Sequence, residues 1–300
     1  MTIYVRRLTA LALLGAALTG CGGSGGPPVS APTPLPSPSV PAAPAPRPAA
    51  PVKPPTLAPG PAGLTPVFAR SSSASSATSA ASAASEKTVA LTFDADMTAD
   101  QGPRAARGER FDNPALIATL RRLKVPSTIF MTGRWAQEYP GQARSIGNDP
   151  LFEIANHSYS HYAFASPCYE LPEIGKENMA TDVERAFTAF RGAGAQNVVP
   201  YFRFPGGCYD DAALRALAPA KVTAVQWDVV GGDAFARDPA AVAEQVLAGV
   251  RPGSVVVLHC TRSAAPVTDA AIRRIVPELR ERGYRFVKVS ELMAGQGSVS

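Results

Sequence analysis

Between residue 87 and residue 294 the chain alternates short apolar runs with longer stretches whose apolar positions recur every three or four residues. The short runs, read as strands, cover 88–93, 127–132, 152–156, 201–204, 223–230, 254–258 and 285–289. The longer stretches, read as helices, cover 114–124, 173–191, 211–217, 240–250 and 269–282. The clearest helical stripe is Met179, Val183, Ala186, Phe187 and Phe190, spaced as one face of a 3.6-residue period requires. Asn113 before Pro114 reads as a cap followed by a first-turn proline. Strands joined by single helices pair in parallel through right-handed crossovers. The pattern therefore predicts an α/β fold, a (β/α) barrel, distorted or incomplete, of about seven strands; an open doubly wound sheet is the alternative. Barrels gather their chemistry at the C-terminal ends of the strands, and Asp94, His157, Arg203, Asp233 and His259 all fall at or just past such ends.

The first 86 residues carry no such pattern. Arg6 and Arg7 precede an apolar stretch, 8–18, too short to span a bilayer and typical of a cleaved leader. Leu18-Thr19-Gly20-Cys21 resembles the lipobox of bacterial lipoproteins. That resemblance implies a signal peptide over 1–20, lipidation of Cys21 and a membrane held through acyl chains; an ordinary secretory leader is the alternative. Residues 21–86 read as a linker: prolines recur through 27–66, and 71–85 is a Ser/Ala tract. Proline-rich chain favours extended polyproline II over a packed core. One catalytic domain is expected over 87–294, outside the cytoplasm in the cell envelope. The net charge of +5 includes no block of Lys or Arg, so nucleic acid is not an expected partner, and a monomer is expected.

The chain has three histidines, and each sits where a metal-dependent hydrolase would use it. His157 and His161 are four apart, so one helical turn would align both imidazoles. His259 closes the run Val255-Val256-Val257-Leu258, and Asp94 and Asp96 leave the first strand. Imidazole and carboxylate are the usual ligands of zinc. Taken singly, a His pair is more often not a ligand set, and acids after a strand are often helix caps. The conjunction at separate strand ends favours one assembled site.

Five segments together resemble the motifs of the polysaccharide deacetylase family (NodB-like, carbohydrate esterase family four). They are Thr92-Phe93-Asp94-Ala95-Asp96, His157-Ser158-Tyr159-Ser160-His161, Arg203-Phe204-Pro205-Gly206-Gly207, Trp227-Asp228 through Asp233, and Val256-Val257-Leu258-His259. The resemblance implies hydrolysis of N-acetyl groups on an acetylated polysaccharide or oligosaccharide. It implies one divalent metal ion, Zn2+ with Co2+ or Ni2+ as alternatives, held by Asp96, His157 and His161. Asp94 is then the base, His259 the acid, Arg203 the partner of Asp94, and the N–H of Gly206 an oxyanion donor. Asp233 is the candidate to orient His259, with Asp228 in competition. Two departures stand out: Ala95 separates the paired aspartates, and Ala234 follows Asp233 where the family has tryptophan. Trp227 and Tyr209 either line the sugar groove or pack in the core.

With Cys21 assigned to lipid, Cys168, Cys208 and Cys260 remain in a compartment where disulfides persist. Cys168 follows the His loop and Cys208 the Pro205-Gly206-Gly207 turn, so both border the same site, whereas Cys260 points away from His259 along a strand. A Cys168–Cys208 bond is expected, against three free thiols. Two other functions stay open: an amidase or imide hydrolase acting on a non-sugar substrate, and a non-catalytic carbohydrate-binding lipoprotein.

Overall fold

The computed structural model describes residues 53–71 and 87–295. The leader, Cys21 and the Ser/Ala tract after Ser71 lie outside the described residues. The elements in chain order are β1 (Val67–Phe68), β2 (Thr88–Ala95), α1 (Gln101–Ala106), α2 (Pro114–Arg122), β3 (Ser127–Met131), α3 (Gly133–Glu138), α4 (Pro140–Gly147), β4 (Phe152–Asn156) and α5 (Met179–Gly192). They continue with β5 (Val198–Phe202), α6 (Asp211–Leu217), β6 (Thr223–Val225), β7 (Val229–Val230), α7 (Pro239–Gly249), β8 (Ser254–His259), α8 (Thr268–Glu281), β9 (Arg285–Phe286) and α9 (Val289–Ala294).

All ladders between named strands are parallel, in the order β1-β6-β5-β4-β3-β2-β8-β7, with β9 added beside β2. The sheet curls into an incomplete barrel, as the alternation predicts. Strand periodicity sorts the side chains. On β2, Val89, Leu91 and Phe93 join α2 and α8 residues such as Leu116, Ile272 and Ile275 in the outer core. Ala90 points the other way, into an inner cluster with Phe130, Ala155, Tyr201, Val225 and Val255. Asp94 shares the parity of Ala90, so the inner face that is apolar below becomes polar at the mouth.

Several predicted elements change at their edges. The run 223–230 divides into β6 and β7 in different parts of the sheet: β6 pairs with β1 and β5, β7 with β8. Between them Asp228 accepts hydrogen bonds from Ser254 Oγ (2.9 Å) and the Val255 N–H (2.8 Å). The helix expected from residue 173 begins at Met179, because Glu173 bridges to Ala163 in the loop before it. The strand expected over 285–289 stops at Phe286, and α9 plugs the barrel floor with Val289, Leu292 and Met293. Buried Glu153 fixes that plug, accepting from Thr128 Oγ1 (2.8 Å), the Ser290 N–H (3.1 Å) and Ser290 Oγ.

Ordered chain also begins earlier than residue 87. Residues 53–71, read from their prolines as linker, form a strap on the sheet. Tyr201 Oη donates to Pro55 O (2.8 Å), the Leu57 N–H to Thr223 Oγ1 (3.1 Å) and Thr65 Oγ1 to Leu214 O (2.9 Å). β1 extends the edge of β6, and Arg70 bridges to Ser254 of β8, so the strap spans the gap between the two edges. Phe68, 3% exposed, enters the inner cluster. The proline signal was sound locally; what it could not reveal was an open sheet edge to receive an extended segment. Phe68→Ala should destabilise the domain by about 3 kcal/mol, read as a lowered urea midpoint; a midpoint equal to wild type would show the strap to be dispensable.

Candidate metal centre and active site

The mouth of the barrel is built by register. Asp94 stands opposite Phe130 of β3 on one side and His259 of β8 on the other. The His157 N–H donates to Met131 O (2.9 Å), and the Arg203 N–H to Asn156 O (2.8 Å), which places these residues one step beyond their neighbours. Asp94, His157, Arg203 and His259 thus converge from four strand ends.

The segment from His157 to His161 is a loop, not the helical turn expected from the spacing. Ser158 (φ +69°) and His161 (φ +58°) are left-handed. The loop is held from below: Asn156 Oδ1 accepts the Ser158 N–H (2.8 Å), Ser158 Oγ the His161 N–H (2.9 Å), and Asp182 Oδ2 the Tyr159 N–H (2.7 Å). The rings meet edge to face with centroids 5.0 Å apart. Asp96 completes the group, with Oδ1 3.3 Å from His157 Nε2 and 3.6 Å from His161 Nε2. Its N–H donates to Thr261 Oγ1 (3.0 Å).

Asp96, His157 and His161 are, among the described residues, the one group whose ligand atoms lie close enough to hold a metal ion, within 4.8 Å of one another. The donor chemistry fits. His157 Nδ1 donates to Arg203 O (2.9 Å), so the neutral ring carries its lone pair on Nε2, toward Asp96. Burial opposes its protonation, but Asp94 and Asp96 raise its proton affinity, and a cation bound there would compete with that proton. Asp96 Oδ1 is buried without a hydrogen-bond partner, an arrangement a cation would satisfy. Burial pushes His161 down to about 4 against the pull of Asp96, so it is neutral at pH 7. Burial opposes charge on Asp96, but the neighbouring His161, His157 and His259 together hold its carboxyl well below the usual range. A neutral imidazole and an ionised carboxylate are the forms that ligate.

Two further pairs flank this group. Arg203, fully buried, donates from Nη1 to Asp94 Oδ1 (2.6 Å) and from Nε to Val225 O (3.1 Å), with its guanidinium 3.8 Å from the centre of the Phe130 ring. Across the mouth, His259 Nδ1 lies 2.9 Å from Asp233 Oδ1. The same carboxylate accepts the His259 N–H (2.8 Å) and Thr268 Oγ1 (2.6 Å) at Oδ2. Burial opposes the imidazolium, but the hydrogen bond and charge of Asp233, with Asp96 and Asp94 behind them, raise His259 to about 10. Asp233, not Asp228, is therefore the partner of His259.

The cleft over these groups has a volume of about 450 Å³ and includes Gly206, Trp227 and Ala234. Gly206 (φ +64°) must lack a side chain, since a Cβ there would lie 2.6 Å from Cys168 Sγ. Cys168 is bonded to Cys208, with Cα atoms 6.0 Å apart, and Cys260 is free and buried. Tyr209 stacks on Phe204 (centroids 5.0 Å) and is not among the cleft-lining residues. The sequence reading did not single out Tyr169, Leu171, Phe235 and Ala264, which come from aperiodic loops and carry no motif, nor Val230, which closes β7 inside the fourth segment.

A profile for polysaccharide deacetylases matches residues 81–225. A chitooligosaccharide deacetylase of Sinorhizobium fredii is 30% identical over 198 residues, spanning 63% of this chain and 86% of that protein. A peptidoglycan-N-acetylglucosamine deacetylase of Bacillus cereus is 30% identical over 212 residues, spanning 70% and 89%. This chain belongs to the polysaccharide deacetylase family. As a member it is a hydrolase acting on N-acetyl carbon–nitrogen bonds. The fold agrees with a solved family 4 acetyl xylan esterase from Clostridium thermocellum in complex with a cobalt ion, with TM-score 0.55, 23% identity and coverage of 69% and 91%. Asp233 and His259 lie beyond the stretch matched by the profile, so it is geometry that joins them to the site of this deacetylase.

If Asp233 sustains the raised proton affinity of His259, the group remains protonated until pH rises through the folded-state value. Asp233→Asn should therefore move the alkaline limb of kcat/KM to lower pH, by about one unit or more. An unmoved alkaline limb in a pH–rate profile would remove Asp233 from that role.

Proposed function

We propose that this protein is a metal-dependent deacetylase that hydrolyses N-acetyl groups of an N-acetylglucosamine-containing polysaccharide outside the cytoplasm. The observation that carries the reading is the pairing of Asp94 with Arg203 on one side and His259 with Asp233 on the other, around the Asp96, His157 and His161 group. Amide hydrolysis needs a base for the attacking water and an acid for the departing nitrogen, and the mouth supplies both. A divalent ion held by Asp96, His157 and His161 would polarise the acyl carbonyl and acidify a water.

Within that arrangement Asp94 takes the water proton. Arg203 fixes one carboxylate oxygen with a hydrogen bond of 2.6 Å, leaving the other free to accept. The water oxygen bonds to the carbonyl carbon, and the N–H of Gly206, a residue of the cleft lining, is the candidate donor to the charge that develops on the carbonyl oxygen. His259 delivers its proton to nitrogen as the carbon–nitrogen bond breaks, releasing acetate and a free amine. Ala95 between Asp94 and Asp96 suits this division, because residues i and i+2 of a strand share a face.

Two relatives named for chitooligosaccharide and peptidoglycan N-acetylglucosamine deacetylation support the amide of an amino sugar as the target. The resemblance of Leu18-Thr19-Gly20-Cys21 to a lipobox supports attachment to a bacterial envelope membrane, where such polymers occur.

Purified protein should release acetate from chitooligosaccharides or peptidoglycan, lose activity in chelator and regain it with Zn2+. His161→Ala should lose bound metal by elemental analysis. Asp94→Asn should keep metal while losing activity by about 10²–10⁴-fold. Full turnover in chelator by metal-free protein would sink the metal reading. Loss of metal from Asp94→Asn but not from Asp96→Asn would reverse the two aspartate roles. Acetamide hydrolysis confined to non-sugar substrates would favour the amidase alternative.

A further inference from the structure

Among the described residues two large apolar side chains are far more exposed than the rest: Tyr169 at 82% and Phe235 at 83%. Both line the catalytic cleft. Ligand clefts are lined predominantly by apolar and aromatic side chains, so exposed rings on the wall of this one are candidates for contact with its ligand.

Neither ring sits on a backbone that chance would favour. Tyr169 (φ +46°) and Glu170 (φ +60°) are consecutive left-handed residues, and Phe235 (φ +61°) is a third. Such conformations persist in bulky residues only where the surroundings enforce them. For Tyr169 the enforcement is visible. The preceding Cys168 is bonded to Cys208, the Leu171 N–H closes a turn on Cys168 O (2.9 Å), and a Cβ built on Gly206 would lie 3.1 Å from the Tyr169 ring. Phe235 is held by its own N–H on Ala264 O (2.6 Å), two residues after Asp233. Both backbones are thus anchored, and both rings are turned to solvent.

Depth decides what they would meet. His157 is 2% exposed, so the reacting acyl group lies deep, whereas the two rings stand at the rim. A chain whose central unit enters the cleft leaves its neighbouring units at that height. Pyranose rings present apolar C–H faces that pack on aromatic faces. We propose that Tyr169 and Phe235 are platforms for the sugar units flanking the one being deacetylated, so that the cleft selects oligomers over monosaccharides. This rests on the deacetylase reading, and it goes beyond it in assigning chain-length preference to two residues outside every motif.

The test is direct binding together with turnover. Chitotetraose and N-acetylglucosamine are titrated by calorimetry into the metal-loaded Asp94→Asn protein, alone and combined with Tyr169→Ala, Phe235→Ala, Tyr169→Phe or Phe235→Trp. Acetate release is measured in parallel in the Asp94 background. Expected are tighter binding of tetramer than monomer, and a tetramer Kd raised roughly five- to tenfold by each alanine. The aromatic replacements should restore it, and the tetramer KM should follow Kd. Melting temperatures are compared to confirm that each variant folds. A tetramer Kd within twofold of the parent in both alanine variants, or equal binding of monomer and tetramer by the parent, would overturn the proposal. Aromatic-dependent tetramer binding without acetate release from any sugar would leave the platforms standing and remove the deacetylase reading instead.

Discussion

The site depends on one buried ion pair. Arg203 has no exposed surface, and a guanidinium in that position is tolerable only where charge and hydrogen bonds replace its water. Asp94 supplies the charge, Val225 O a hydrogen bond, and the Phe130 ring a face on which the plane rests. The same residue reaches a third partner through its backbone, because Arg203 O receives the Nδ1 proton of His157. One residue therefore orients the candidate base with its side chain and selects the tautomer of a candidate metal ligand with its carbonyl. Removing either member of a buried pair costs about 3–5 kcal/mol, so truncation of Arg203 would confuse stability with chemistry. The near-isosteric Asp94→Asn keeps the shape and an amide oxygen for Arg203 to donate to, but it also removes the charge, so its stability must be measured beside its activity.

The second half of the mouth is coupled to the first by the sheet. Because β2 and β8 run in register, Asp94 and His259 are direct neighbours, and a shift of one residue would turn one of them into the helix layer. The outer core enforces that register. Leu91 and Phe93 alternate with Thr92 and Asp94, and only one phase buries the apolar pair under α2 and α8. Catalytic spacing is here a by-product of hydrophobic alternation.

That is also why so much of the protein was legible. Strand alternation and helical stripes announced β2, β3, β4, β8, α2, α6 and α8 nearly to the residue, and the polar residues at their ends marked the mouth. The strap was not legible, since its proline composition describes local stiffness but not the sheet edge that receives it. The same limit applies to 223–230, an unbroken apolar run whose division follows from closure of the curled sheet. The His157 loop shows a subtler failure. Its spacing suggested helix, yet the imidazoles converge because Ser158 and His161 adopt left-handed backbone over Asn156 and Asp182, a conformation with no periodic signature.

Backbone strain is distributed accordingly. Ala62, Lys124 and Lys221 have positive φ at ordinary turns, but Ser158, His161, Tyr169, Glu170 and Phe235 all belong to the loops that surround the cleft. Each such residue costs of order 1 kcal/mol or more and needs a neighbour to enforce it. The Cys168–Cys208 bond, the Asn156 and Asp182 acceptors and the Phe235–Ala264 hydrogen bond are those neighbours. The barrel's regular strands place the reacting groups, while strained and separately anchored loops place what surrounds the substrate. Loops held by local anchors can change sequence without disturbing the register beneath them, so one arrangement of Asp94, Arg203 and His259 is compatible with clefts of different shape. The replacement of the expected aromatic by Ala234, with Phe235 turned outward beside it, is a change of that kind: it alters the wall while leaving Asp233 in contact with His259.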